Sequence, residues 1–74
     1  MGCLQILNGN VEEKCFWNPN SPAETRIARE KFEVCMKEGF IACKIFKKGG
    51  PGIQISEFDP EAKEIFMLGL ADGG

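Results

Sequence analysis

The stretch Glu64–Leu68, EIFML, decides how the rest of this chain must be assembled. A strand with one wet face alternates polar and apolar residues, but this one is apolar at successive positions. Such a run belongs in the middle of a sheet, either covered on both sides or carrying a hydrophobic stripe on its open side. The preceding residues therefore have to supply flanking strands and something to cover at least one face.

Residues 21–39, SPAETRIAREKFEVCMKEG, supply the cover. Ser21 is placed to cap a helix, Pro22 suits its first position, and Glu24, three residues after the cap, completes a capping box. Gly39 gives a left-handed stop, and Lys37 lies in the last turn, where a cation suits the helix dipole. The pattern predicts a helix from about 22 to 38. Ala28, Phe32 and Cys35 fall on one stripe, widened by Ile27 on one flank and Met36 on the other, while Arg26, Arg29, Glu30 and Lys37 face water. One face is buried, and a sheet is the partner it needs.

Upstream, LQIL, NG and VEEKCFW read as strand, two-residue turn and strand. Asn8-Gly9 is a strong hairpin signal, since a type I′ turn needs positive φ at both central residues. Leu4 and Ile6 would share one face, as would Cys15 and Trp17. NPNSP leads to the helix cap, its prolines excluding regular pairing. Downstream, FIACKIFK is a third strand, with Ile41, Cys43 and Ile45 alternating against Phe40, Ala42, Lys44 and Phe46. KGGPG breaks it, IQISEF makes a shorter fourth strand, and DPEA forms a turn with Asp59 as cap and Pro60 at its first position. The expected fold is α+β, a mixed sheet in the order ββαβββ with one helix on one face. This is the beta-grasp, the architecture of ubiquitin. A ferredoxin-like alternative needs a second helix, and residues 47–64 offer only a turn.

Seventy-four residues, 43% hydrophobic and 27% charged, make one soluble domain near the lower size limit for a self-sufficient core. We expect a domain over residues 1–69 and a flexible tail over 70–74. A net charge of −2 gives no broad positive field, so nucleic acid is not an expected partner. No apolar run approaches the roughly 18 residues of a spanning helix. The opening MGCLQILNGN has neither a signal-peptide pattern nor the Ser or Thr that myristoylation wants where Ile6 stands, so a cytoplasmic, monomeric protein is expected, with no membrane. The cysteines at 3, 15, 35 and 43 lack the short C-x2-4-C spacing of a zinc knuckle. Free thiols are the expectation, a disulfide or metal site the alternative.

Catalysis has little to stand on. The chain contains no histidine and no tyrosine, and no Ser or Cys has a neighbouring residue to activate it. Glu12, Glu13, Glu57, Asp59, Glu61 and Glu64 read as solvated carboxylates rather than an acid–base pair, and GGPG is followed by no helix that would make it a phosphate loop. No enzyme, cofactor or metal is expected. Binding fits better: if the helix covers one sheet face, the other gathers Phe16, Phe46, Phe66 and Leu68 into an apolar patch of the kind that marks interaction sites, subject to strand register.

The final residues, EIFMLGLADGG, run from Glu64 through an aliphatic strand and a four-residue linker to Gly73-Gly74. This ending resembles that of the ubiquitin-like sulfur-carrier family, and LQILNGN is similar to the opening strand and turn of its thiamin branch. The resemblance implies a small carrier or modifier whose Gly73-Gly74 carboxylate is activated with ATP by a partner adenylating enzyme, ending as a thiocarboxylate or joined to an amine. Glycine suits that role because a narrow channel must pass backbone without β carbons. Leu70 to Gly74, extended, would reach roughly 17 Å from the sheet, and Leu70 would join the docking surface. The alternative is a beta-grasp protein–protein interaction module with an incidental Gly-Gly end.

Overall fold

Strand β1 (Gly2–Asn8) pairs antiparallel with β2 (Val11–Trp17), Asn8 facing Val11 across the turn. The central turn residues are thus Gly9 and Asn10, one position later than the Asn8-Gly9 reading. Gly9 has φ +62° and among the described residues no non-glycine residue has positive φ, so Asn10 does not, and the turn has the type II′ pattern with glycine first instead of type I′. The computed structural model describes residues 1–45 and 49–69.

Helix α1 (Pro22–Lys37) starts on Ser21, whose Oγ accepts from the Glu24 N–H at 3.3 Å. The Glu24 carboxylate does not return to Ser21. It accepts instead from the Asn18 N–H at 2.9 Å, because the Ser21 N–H is already donated to the Asn18 carbonyl. The C-terminus closes as a Schellman motif: Phe40 N–H to Cys35 O, Gly39 N–H to Met36 O, and Gly39 at φ +92°. Ala28, Phe32 and Cys35 are buried beneath the helix, and Met36 packs against them. Ile27, expected on the buried flank, is 48% exposed. The core stripe is narrower than the apolar pattern on that side.

Strands β3 (Ile41–Ile45), β4 (Ile53–Ile55) and β5 (Glu64–Leu68) complete a five-stranded mixed sheet in the order β2-β1-β5-β3-β4. β5 runs parallel to β1 and antiparallel to β3, in the centre that its doubly apolar sequence demands. This α+β arrangement, one helix against a five-stranded sheet, is compatible with a beta-grasp. Leu4, Trp17, Ala42, Ile65 and Met67 point toward the helix and are buried. β4 is shorter than IQISEF suggests. Phe58 leaves the sheet to pack on Trp17 and Phe32, at centroid distances of 5.0 and 5.8 Å, with the Arg29 guanidinium 5.9 Å over its ring. Trp17 is anchored in this corner by its Nε1–H, which donates to the Pro60 carbonyl at 3.0 Å.

The connection before β5 is a turn held by Asp59. Its Oδ1 accepts the Glu61 N–H at 2.9 Å and its Oδ2 accepts Lys44 Nζ at 2.7 Å, the lysine reaching from the helix side of β3. The lysine contact, then the backbone N–H, holds the Asp59 carboxyl below its ordinary range. Among the described residues no buried side-chain polar atom lacks a hydrogen-bond partner, and no helix is long and apolar enough to cross a membrane.

Candidate functional site: the open face of the sheet

Strand alternation turns half of each strand toward the helix and half away, and among the described residues no element covers the second half. The register arranges that face in three cross-sheet rows. Phe16, Cys3, Glu64 and Ile45 form one, Lys14, Gln5, Phe66, Cys43 and Gln54 the next, and Glu12, Leu7, Leu68 and Ile41 the third. Charged and amide side chains occupy mainly the edge strands β2 and β4. Apolar ones fill the middle of β5 and β3, giving an apolar centre inside a polar margin, the composition of a protein-docking surface.

Of the residues expected to make this patch, Phe66 and Leu68 stand side by side on β5, Phe66 half-buried among its neighbours and Leu68 39% exposed. Phe16, at 59% exposure, shares the face but sits at its corner, two strands from Leu68 and joined to the centre through Cys3. Phe46, Leu70, Gly73 and Gly74 lie outside the described residues. Leu7, Ile41, Cys43 and Ile45 complete the patch, and sequence reasoning did not assign them to it. The signal was present in the alternation of β3, but a residue's face is fixed only once the register with β5 is known.

The chain leaves this face at Gly69, whose N–H donates to the Leu7 carbonyl at 2.7 Å and so extends the β1–β5 pairing by one residue. A β carbon at Gly69 would lie 2.9 Å from Asn8 Oδ1 and 3.1 Å from the Phe40 ring, so a side chain here would require both neighbours to shift. All four cysteines carry free thiols. Burial, with the Glu64 carboxylate beside it, pushes the Cys3 thiol up, and burial does the same to Cys35. Both thiols are therefore protonated at neutral pH, which disfavours nucleophilic attack. No group of three or more His, Cys, Asp or Glu side chains placed to hold a metal occurs among the described residues.

Fold and site together define a small α+β domain with an uncovered, apolar-centred sheet face. Compared with protein-family models, with curated proteins and with solved structures, the chain has no significant match.

Proposed function

We propose that this chain is a non-enzymatic protein-interaction domain of the ubiquitin-like beta-grasp kind, which docks a partner protein against the open face of its sheet. The observation that carries the reading is the pairing of Phe66 and Leu68 on a central strand with, among the described residues, no element over them. A small protein that leaves such side chains in water forgoes about 25 cal/mol for each Å² of apolar surface it could have buried, and a partner recovers that energy. The beta-grasp assignment is supported by the order ββαβββ, with the last strand between β1 and β3. The test is a photo-crosslinking residue placed at Leu68, or at Glu33 on the outer face of the helix, in cells that make the protein. A discrete adduct formed from position 68 and not from 33 supports the reading. Equal or absent labelling rejects it.

A second, more specific reading is favoured by the position of β5, because the central strand passes directly through Gly69 into Leu70–Gly74. In this form the protein is a carrier or modifier, and the docked partner is an adenylating enzyme. The Gly74 carboxylate attacks the α-phosphorus of ATP, releasing pyrophosphate. Hydrosulfide or an amine then displaces AMP from the acyl adenylate, giving the thiocarboxylate or the amide. This form requires Gly74 to end the mature chain with a free carboxylate. Intact-mass analysis after incubation with ATP, magnesium and extract of the source cells tests it. A thiocarboxylate or isopeptide adduct that disappears on deletion of Gly73 and Gly74 supports the carrier form, and an unchanged mass leaves the interaction domain alone standing.

A further inference from the structure

The two flanks of α1 differ in a way the open sheet face does not explain. On the β4 side the helix borders a groove with Arg29, Lys37, Glu33 and Glu57 on its rim, two charges of each sign. On the β2 side, where β2 is the sheet edge, lies an open groove of about 510 Å³. Its wall is Ile27 and Val34, 48% and 55% exposed, and its floor includes Ile6 and Phe40. Three carboxylates stand around it, Glu13, Glu30 and Glu38, against one cation, Lys31. Lys31 Nζ is 3.0 Å from Glu13 Oε2, and this contact raises the lysine above its ordinary range. The pair neutralises itself, so among the described lining residues the remaining charges are those of Glu30 and Glu38.

We infer that this groove is a second docking site, distinct from the open sheet face, and that its occupant is a basic amphipathic helix of another protein. Ile27 and Val34 are seven residues apart, about 10 Å along the helix axis at 1.5 Å per residue, which is the spacing of aliphatic anchors at i and i+7 on a partner helix lying alongside. Lysines or arginines flanking those anchors would meet Glu30 and Glu38. A second copy of this chain is a poor occupant, since it would bring the same negative rim against itself. A small molecule is disfavoured too, because the groove is open along its length and does not enclose a ligand. With a site on the sheet and another beside the helix, the domain bridges two proteins.

The site is tested by titrating the full-length ¹⁵N-labelled protein with a synthetic lysine–leucine–alanine amphipathic helix, and with the same peptide carrying glutamate in place of lysine. The basic peptide is expected to bind saturably, shifting the amides of Glu13 and of residues 27–38. The acidic peptide should bind at least about tenfold more weakly, and added salt should weaken the basic one. Ile27→Lys with Val34→Lys should weaken binding about tenfold or more, as should Glu30→Lys with Glu38→Lys. All four residues are exposed, so both variants should fold. Phe16→Ser with Leu68→Ser should leave this binding unchanged, which separates failure here from failure of the sheet-face reading. Equal binding of both peptides, no saturable binding of the basic one, shifts confined to the rows of Phe66 and Leu68, or full affinity in both groove variants would overturn the inference.

Discussion

Replacing Gly2 by alanine adds one methyl group to the molecule, yet the structure makes it a severe change. A β carbon at Gly2 would lie 2.2 Å from Trp17 Cζ2, 2.4 Å from Cε2 and 2.5 Å from Cη2, so the nearest atom falls more than an ångström short of ordinary contact at 3.4 Å. The indole cannot simply retreat. It is fully buried, packed against the Phe58 ring at a tilt of 56° and tethered to the Pro60 carbonyl. Overpacking of this kind costs about 1–3 kcal/mol. If the ring moves far enough to lose its hydrogen bond, the stranded N–H adds about 1–3 kcal/mol. A loss of about 2–4 kcal/mol is expected for Gly2→Ala, from a total that at this size is about 4–11 kcal/mol. Trp17 is the sole tryptophan and there is no tyrosine, so urea unfolding followed by intrinsic fluorescence reports on this ring alone. Gly52→Ala is the matched control: its β carbon would meet nothing closer than 3.7 Å, and the substitution should be neutral or stabilise by up to about 1 kcal/mol. A Gly2→Ala protein within about 0.5 kcal/mol of wild type, with the same emission maximum, would refute the packing of this corner.

Two further stability predictions concern single contacts. Asp59→Asn should destabilise by about 1 kcal/mol at neutral pH by weakening the link to Lys44. The folded carboxyl titrates below its unfolded value, so its contribution is present above about pH 4 and lost as pH falls through the folded pKa. The difference between wild type and variant should therefore close in acid, and a pH-independent gap would contradict the assignment. Gly39→Ala should cost about 1 kcal/mol in urea titration, from backbone strain alone, because φ is +92° while the added carbon would meet open space.

Much of the fold was legible because local chemistry and tertiary position agree. Ser21, Pro22 and Gly39 mark the helix within a residue of its ends, and the doubly apolar EIFML announces a central strand before any partner is known. What sequence missed depends on contacts between distant residues. Glu24 satisfies the usual capping-box spacing, but Asn18 folds back to claim both the Ser21 N–H and the Glu24 carboxylate. IQISEF reads as strand up to Phe58, but Phe58 is out of phase with Ile53 and Ile55, and it packs on Trp17 and Phe32 in place of further pairing on an edge strand. Ile27 fits the helical stripe by spacing alone, and its exposure follows from where the sheet edge falls. For the open sheet face, Phe66 and Leu68 could be named from one strand, whereas Leu7, Ile41, Cys43 and Ile45 required the register of three.

The interaction proposed for the open face is tested most directly by the affinity of the protein captured at position 68, measured by calorimetry against wild type and against Phe16→Ser with Leu68→Ser. Both residues are exposed, so the variant should unfold at a urea concentration close to that of wild type. If the face carries the binding, loss of its two most accessible apolar side chains should remove at least about 2 kcal/mol, a weakening of about thirtyfold or more. An affinity equal to wild type in a folded double variant would contradict the account and move the interaction to another surface.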